Sequence, residues 1–212
     1  MVDGQLRTTD VTNLSVLDAF LSVPREAFVP ARLRELAYID EDVDITPPDG
    51  DARRFLMEPS PLAKLIQLAE VDAGDVVLDV GTGTGYSAAI LSQLAGSVIA
   101  LESDAALAAQ ASERLSELGC DNVAVVEGVL QAGYPSEAPY DVILVAGAVD
   151  RIPDALFEQM KEGGRLVTVE GHGNAGAARL YLKQGGHVSG RWAFNAAVKP
   201  LPGFQAAPAF EF

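Results

Sequence analysis

The residues best placed to hold a ligand are the three glycines of V-V-L-D-V-G-T-G-T-G-Y, residues 76–86. Val76, Val77, Leu78 and Val80 suggest a strand buried on both faces, which Gly81, Gly83 and Gly85 break into a tight turn before the helix-like run 86–94. Glycine accepts positive φ and carries no Cβ, so a ligand can lie against the backbone at a helix N-terminus. The free N–H groups and dipole there favour acceptor groups. Turns use the same residues without any ligand. A dinucleotide fingerprint needs a small residue three places after its second glycine, and Tyr86 stands there; the glycines instead alternate as G-x-G-x-G. That spacing fits S-adenosylmethionine (SAM) better and disfavours a nicotinamide-dependent oxidoreductase. Glu102 ends the next apolar run, 98–101, 21 residues beyond Gly81. Nucleotide folds place a carboxylate there to accept hydrogen bonds from ribose hydroxyls, although an acid at a strand end also serves simply to start a helix.

These residues need elements to hold them. Asn13 caps a predicted helix through Ser22, with Val16, Leu17, Phe20 and Leu21 on one side and Pro24 as its stop. Phe28, Val29, Leu33, Leu36 and Tyr38 extend this N-terminal cap. Pro59 and Pro61 open a helix through Glu70 with Leu62, Leu65, Ile66 and Ala69 on its inner stripe. Residues 104–118 read as an amphipathic helix carrying Leu107, Ala111, Leu115 and Leu118 and closed by Gly119. Further apolar runs fall at 123–126, 142–145 and 165–169, with a helix over 152–161 ahead of the last. Five strand-like runs separated largely by helices predict a doubly wound parallel sheet with the ligand at its C-terminal edge. Beyond Gly171, residues 180–182 and 188–198 flank Gly185 and Gly186 with no room for a helix, which predicts an antiparallel hairpin. Phe204, Phe210 and Phe212 in the tail are costly to expose and are expected to pack back on the body.

Length and composition bound the rest. The 212 residues suit one sizeable domain with an appendage, and 49% apolar with 21% charged residues is ordinary for a soluble globular chain. A net charge of −15 repels phosphate backbones and anionic lipid, arguing against nucleic acid or a membrane as partner. Cys120 is the only cysteine, so no internal disulfide forms, and His172 and His187 are too few for a structural zinc site. No signal peptide or spanning segment is apparent, and the expectation is a cytoplasmic protein. The acidic run 40–51 begins D-x-D-x-D but has Ile45 and Asp51 where a calcium loop needs glycine and glutamate, and it reads as a solvated loop.

Several segments together resemble the protein-L-isoaspartate O-methyltransferase family: M-V-D-G-Q-L-R at 1–7, V-P-R-E-A-F-V-P at 23–30, L-A-Y at 36–38, L-D-V-G-T-G-T-G-Y at 78–86, A-P-Y-D-V-I at 138–143 and G-G-R-L-V at 163–167. The first two are the more specific, because general methyltransferases lack them. The resemblance implies an α/β, SAM-dependent methyltransferase (Rossmann-like) doubly wound sheet with a reversed C-terminal strand and an N-terminal helical cap. Residues 1–60 would form the cap and acidic loop, and residues 61–212 the SAM-binding domain with hairpin and tail, in one compact unit. It implies SAM as cofactor, held by Asp79, Gly81, Thr82, Gly83, Thr84, Gly85, Glu102, Ser103, Gly128 and Val129, and damaged proteins or peptides bearing isoaspartate as partners. The oligomeric state is left open.

The implied chemistry needs no catalytic triad. A carboxylate of pKa about 4 is already a nucleophile at neutral pH, so attack on a methyl group calls for positioning and exclusion of water more than for a base. Two positions depart from the family pattern. F-L-M-E-P at 55–59 puts Met57 where the family's T-I-S-x-P segment has a serine near the transferred methyl, and G-V-L-Q-A-G at 128–133 puts Val129 where the family has an adenine-binding aspartate. These departures motivate an alternative reading, a catalytically degenerate methyltransferase fold that serves as a binding or interaction protein.

Overall fold

The valine-rich runs do assemble into one sheet. The structure, a computed structural model, describes residues 1–171 and 173–205. In chain order its elements are α1 (Leu14–Ser22), β1 (Val43–Asp44), β2 (Phe55–Leu56), α2 (Pro59–Ala69), β3 (Val76–Val80), α3 (Tyr86–Ser92), β4 (Ser97–Glu102), α4 (Ala105–Glu117), β5 (Val123–Glu127), β6 (Tyr140–Val149), α5 (Asp154–Glu158), β7 (Met160–Glu170), β8 (Ala177–Gln184) and β9 (His187–Asn195). The main sheet has seven strands in the order β5-β4-β3-β6-β7-β8-β9. The first five of these pair in parallel. β8 runs antiparallel to both β7 and β9, so the reversed strand is the penultimate one and the chain turns back once more. The order reverses between β3 and β6, which is where an open α/β sheet leaves a crevice at its strand ends.

Local chemistry explains the element boundaries. The Asn13 side chain accepts from the Val16 amide, as expected, and Asp104 accepts from Ala106 and Leu107, capping α4 from just outside it, each cap worth roughly 1 kcal/mol. Gly119, with φ +69°, closes α4. In α2 the whole stripe of Leu62, Leu65, Ile66 and Ala69 is buried.

Two cores lie on the two faces of the sheet. The N-terminal cap, α2, α3 and α4 share one with Val77, Val98 and Ala100, while Leu78, Val80, Ile99 and Leu101 share the other with Leu156, Leu201 and Phe204. Side chains alternate along a strand. Asp79 and Glu102 therefore project to the cap side, next to Val77 and Ala100. Phe204 and Leu201 pack back as expected, whereas Phe210 and Phe212 lie outside the described residues, as does His172. No helix among the described residues is long and apolar enough to cross a membrane.

Four expectations need correction. Leu118, expected on the inner face with Leu107, Ala111 and Leu115, is 39% exposed and lies just past the end of α4. Leu21 is 62% exposed and does not join Val16, Leu17 and Phe20 in the core. The helix expected over 152–161 is only α5, because Met160 is drawn into strand pairing with Tyr140. The acidic run is not simply solvated. Val43 and Ile45 are buried, β1 pairs with β2 in a small hairpin, and the Asp42 carboxylate accepts from the amides of Glu58 (2.7 Å) and Lys199 (3.0 Å), joining the loop to α2 and to the C-terminal segment.

Candidate active site

The glycine loop leaves the C-terminal end of β3 at the point where the sheet order reverses. Gly81, Gly83 and Gly85 have φ of +81°, +59° and +96°, values that side chains rarely adopt. Beneath the loop, Asp79 is fully buried. Its Oδ2 accepts from Ser87 Oγ on α3 at 2.6 Å, while Oδ1 has no hydrogen-bond partner, nor does the nearby Thr82 Oγ1. Burial pushes the Asp79 carboxyl up to about 6. The hydrogen bond from Ser87 opposes the rise, and the charge of Glu102 adds to it.

Glu102 is fully buried at the end of β4, as the glycine-to-acid spacing predicts, but it is already occupied. Its Oε2 accepts from the Gly83 amide at 2.8 Å, and Oε1 accepts from the amides of Ser103 (2.7 Å) and Asp104 (3.0 Å). Arg54 completes the set. This residue precedes β2, is 4% exposed, and donates through Nη1 to Oε1 and through Nη2 to Oε2 at 2.6 Å; a longer contact from Nη2 reaches the Gly81 carbonyl at 3.3 Å. A bidentate guanidinium–carboxylate pair in so dry a setting is the strongest polar contact of the site. Arg54 stands out from its acidic neighbours neither by motif nor by spacing. The signal was the period-two pattern of the short strand, in which Arg54 and Leu56 are buried while Arg53 is exposed.

The space above the loop is filled. A Cβ built on Gly83 would lie 2.7 Å from Ile45 Cδ1, and one on Gly81 the same distance from Leu201 Cδ1. The cavity left between Met57, Gly81, Thr82 and Ser87 measures about 10 Å³, at most the room of a single water. Gly85 faces Ala111 and Leu115 of α4, so its missing Cβ serves helix packing. Thr84 donates its hydroxyl to the Phe28 carbonyl at 2.6 Å, fastening the loop to the cap. Ser103, Gly128 and Val129 do come together, around an open cavity of about 480 Å³ that Glu127 also lines; Val129 is 63% exposed. Glu127, the β5 partner of Glu102, is the carboxylate at this cavity rim that the Val129 position lacks.

Met57 is buried, and its carbonyl is held by the cap. Arg25 of the V-P-R-E-A-F-V-P segment is fully buried. It donates from Nη2 to Met57 O at 2.9 Å and from Nε to Ala37 O at 2.7 Å, and its guanidinium lies 4.9 Å from the Tyr86 ring centroid. Glu58, next in the chain, is pushed up to about 7 by partial burial and then by the charges of Asp40 and Asp42.

Comparison with known proteins decides the family. A family model described as protein-L-isoaspartate(D-aspartate) O-methyltransferase matches residues 2–201. The chain belongs to that family. The protein-L-isoaspartate O-methyltransferase of Koribacter versatilis is 40% identical over 205 residues, covering 97% of this chain and 90% of its own. A solved protein-L-isoaspartate O-methyltransferase superposes with a TM-score of 0.81 at 29% identity, over 93% of this chain and 63% of that one. The putative Plasmodium falciparum protein-L-isoaspartate O-methyltransferase, solved with S-adenosyl-L-homocysteine, shares the fold with a TM-score of 0.76 at 20% identity, over 92% and 94% of the two chains.

The isoaspartyl methyltransferase family is SAM-dependent, and its reaction is methyl transfer to isoaspartyl carboxylates. In this family member the chemistry around the loop suits a SAM-like ligand. Asp79 Oδ1 is a buried acceptor without a partner, the three glycines leave bare backbone, and Glu102 is an acid at a strand end. Side-chain ends stand against it: Ile45 Cδ1 lies close to Gly83, Leu201 Cδ1 close to Gly81, and Arg54 is paired with Glu102, so these three would have to shift for a cofactor to lie along the loop.

Proposed function

We propose that this isoaspartyl methyltransferase family member retains carboxyl methyl transfer to damaged proteins or peptides bearing isoaspartate, and that the structure represents its closed form. Asp79, Gly81, Thr82, Gly83, Glu102 and Ser103 form the cradle for SAM, with Thr84 and Gly85 shaping the loop from behind and Gly128 and Val129 at the adenine end. The observation that carries the reading is the fully buried Asp79 carboxylate, one oxygen of which has no partner, beneath a loop of three positive-φ glycines. A buried acceptor without a donor costs roughly 1–3 kcal/mol, a penalty that a ligand's donor would relieve. Cys120, as the only cysteine, is in keeping with a cytoplasmic setting.

The chain's own residues then position and exclude. The substrate carboxylate is ionised at neutral pH and needs no base. The Arg25 bond to Met57 O fixes the segment beside the reacting groups, and the apolar Met57, Leu62 and Ala146 keep water away. A thioether donates no hydrogen bond, so Met57 contributes shape alone. That favours a second reading, the degenerate binding protein, in which ligand is held but no methyl moves.

Calorimetry with S-adenosylhomocysteine and transfer of labelled methyl to an isoaspartyl peptide separate the two. Binding with transfer is expected. Tight binding without transfer supports the degenerate protein, and no binding at millimolar ligand refutes both.

A further inference from the structure

We infer that Arg54 is an internal competitor for the cofactor: it holds the Glu102 carboxylate in the closed form, and the affinity for SAM or its product is set by moving Arg54 aside with the turn of its hairpin. The inference rests on the SAM reading of the glycine loop.

The hydrogen-bond inventory of Glu102 leads to it. A carboxylate offers about four lone-pair positions. Those of Glu102 receive the amides of Gly83, Ser103 and Asp104 together with both arms of Arg54. The three amides belong to the loop and to the strand end and stay where the backbone puts them. The Ser103 hydroxyl adds a long contact to Oε1 at 3.3 Å. The guanidinium is the one donor whose departure frees a position on both oxygens for an incoming diol. The same hairpin carries the second obstacle, Ile45, whose amide donates to the Arg54 carbonyl at 2.9 Å. The two side chains over Glu102 and Gly83 are thus coupled through the backbone, and one displacement uncovers both.

The hairpin is built for such a movement. Its strands are two residues each, and residues 48 and 49 and 51–53 at its turn are exposed. Arg54 also borders an open cavity of about 290 Å³ lined by Asp49, Asp51 and Asp104. A guanidinium leaving Glu102 therefore meets a second set of carboxylates in partly solvated surroundings. This gives the acidic run a role: it keeps the cation close while the site is open.

Arg54→Gln and Arg54→Lys variants, titrated calorimetrically with S-adenosylhomocysteine, test the inference. Loss of the bidentate charge-assisted pair is expected to tighten binding about ten- to a hundredfold in Arg54→Gln and by less in Arg54→Lys. In the wild type, hydrogen exchange at the Ile45 and Arg54 amides should quicken when the ligand binds, a readout that does not depend on a variant folding. Binding that is unchanged or weaker in foldable variants, or slower exchange at those amides, overturns the competitor role and leaves the SAM reading intact. Absence of binding by wild type and variants alike at millimolar ligand overturns both.

Discussion

Replacing Asp79 with asparagine tests whether the loop rests on an ionisable group held against its preference. Asp79 is fully buried with one oxygen unpaired, and its carboxyl is raised from 3.8 to about 6, chiefly by burial. That rise corresponds to roughly 3 kcal/mol between the protonation states. The folded chain keeps a proton that the unfolded chain has lost between pH 3.8 and about 6. The stability owed to this proton is therefore fully present below pH 4 and lost as pH rises through 6. Asparagine is close in shape, keeps an acceptor for Ser87 Oγ, turns an amide toward Thr82, and never ionises. Subtracting wild-type from variant stabilities, each measured by urea unfolding at pH 4 and pH 7.5, cancels every other titrating group to first order. The difference should grow in favour of Asp79→Asn by about 2–3 kcal/mol between the two pH values. A difference that is flat, or that falls with pH, would refute the claim that Asp79 is a strained buried acid.

Three further outcomes follow from named contacts. Met57→Ser combined with Val129→Asp should raise labelled-methyl transfer to an isoaspartyl peptide; the added acceptor near the Glu127 cavity accounts for roughly 1.5–3 kcal/mol of cofactor binding, and an unchanged rate and affinity would show that neighbours already compensate. Arg25→Ala removes donors from the Met57 and Ala37 carbonyls and leaves a void in the core, so urea unfolding should register a loss of about 2–5 kcal/mol; less than about 1 kcal/mol would contradict the fastening role. Asp42→Ala leaves the Glu58 and Lys199 amides without their acceptor and should cost about 1–3 kcal/mol, with faster hydrogen exchange at both amides as the local readout.

The sheet was legible because its strands are short, apolar and bounded by glycine, and because Asn13, Asp104 and Gly119 carry local capping chemistry that acts within a few residues. Glu102 was legible by its distance from Gly81. Arg54 was not, since its partner lies 48 residues along the chain and an acid-rich stretch read locally shows only charge. The short α5 was missed for a related reason. Pairing of Met160 with Tyr140, 20 residues earlier, outcompetes a helical preference that residues 152–161 express on their own. The pattern at Leu21 fails because the cap is thin, so that one flank of α1 faces solvent where periodicity alone assumes a partner.

Two buried arginines flank β2, Arg54 just before it and Arg25 on the Met57 carbonyl just after it, and their different partners decide which side can move. Arg54 is paired with a carboxylate that other donors can satisfy, next to a cavity that offers carboxylates in exchange. Arg25 donates to the carbonyls of Ala37 and Met57, lies against the face of Tyr86 and feels the charge of Asp42, and withdrawing it would strand both carbonyls and open the core formed by Phe20, Phe28 and Tyr86. Burial disfavours the Arg25 charge, and the two carbonyls, the Tyr86 face and the Asp42 carboxylate offset that cost within the cap. On the competitor reading, the cap and Met57 are the fixed wall of the site and the turn through residues 45–54 is its movable one. A substitution at Met57 then alters the shape of the wall without touching the gate. Arg54 alters the gate without touching the wall, and for that reason the two residues should act independently on methyl transfer and on ligand affinity.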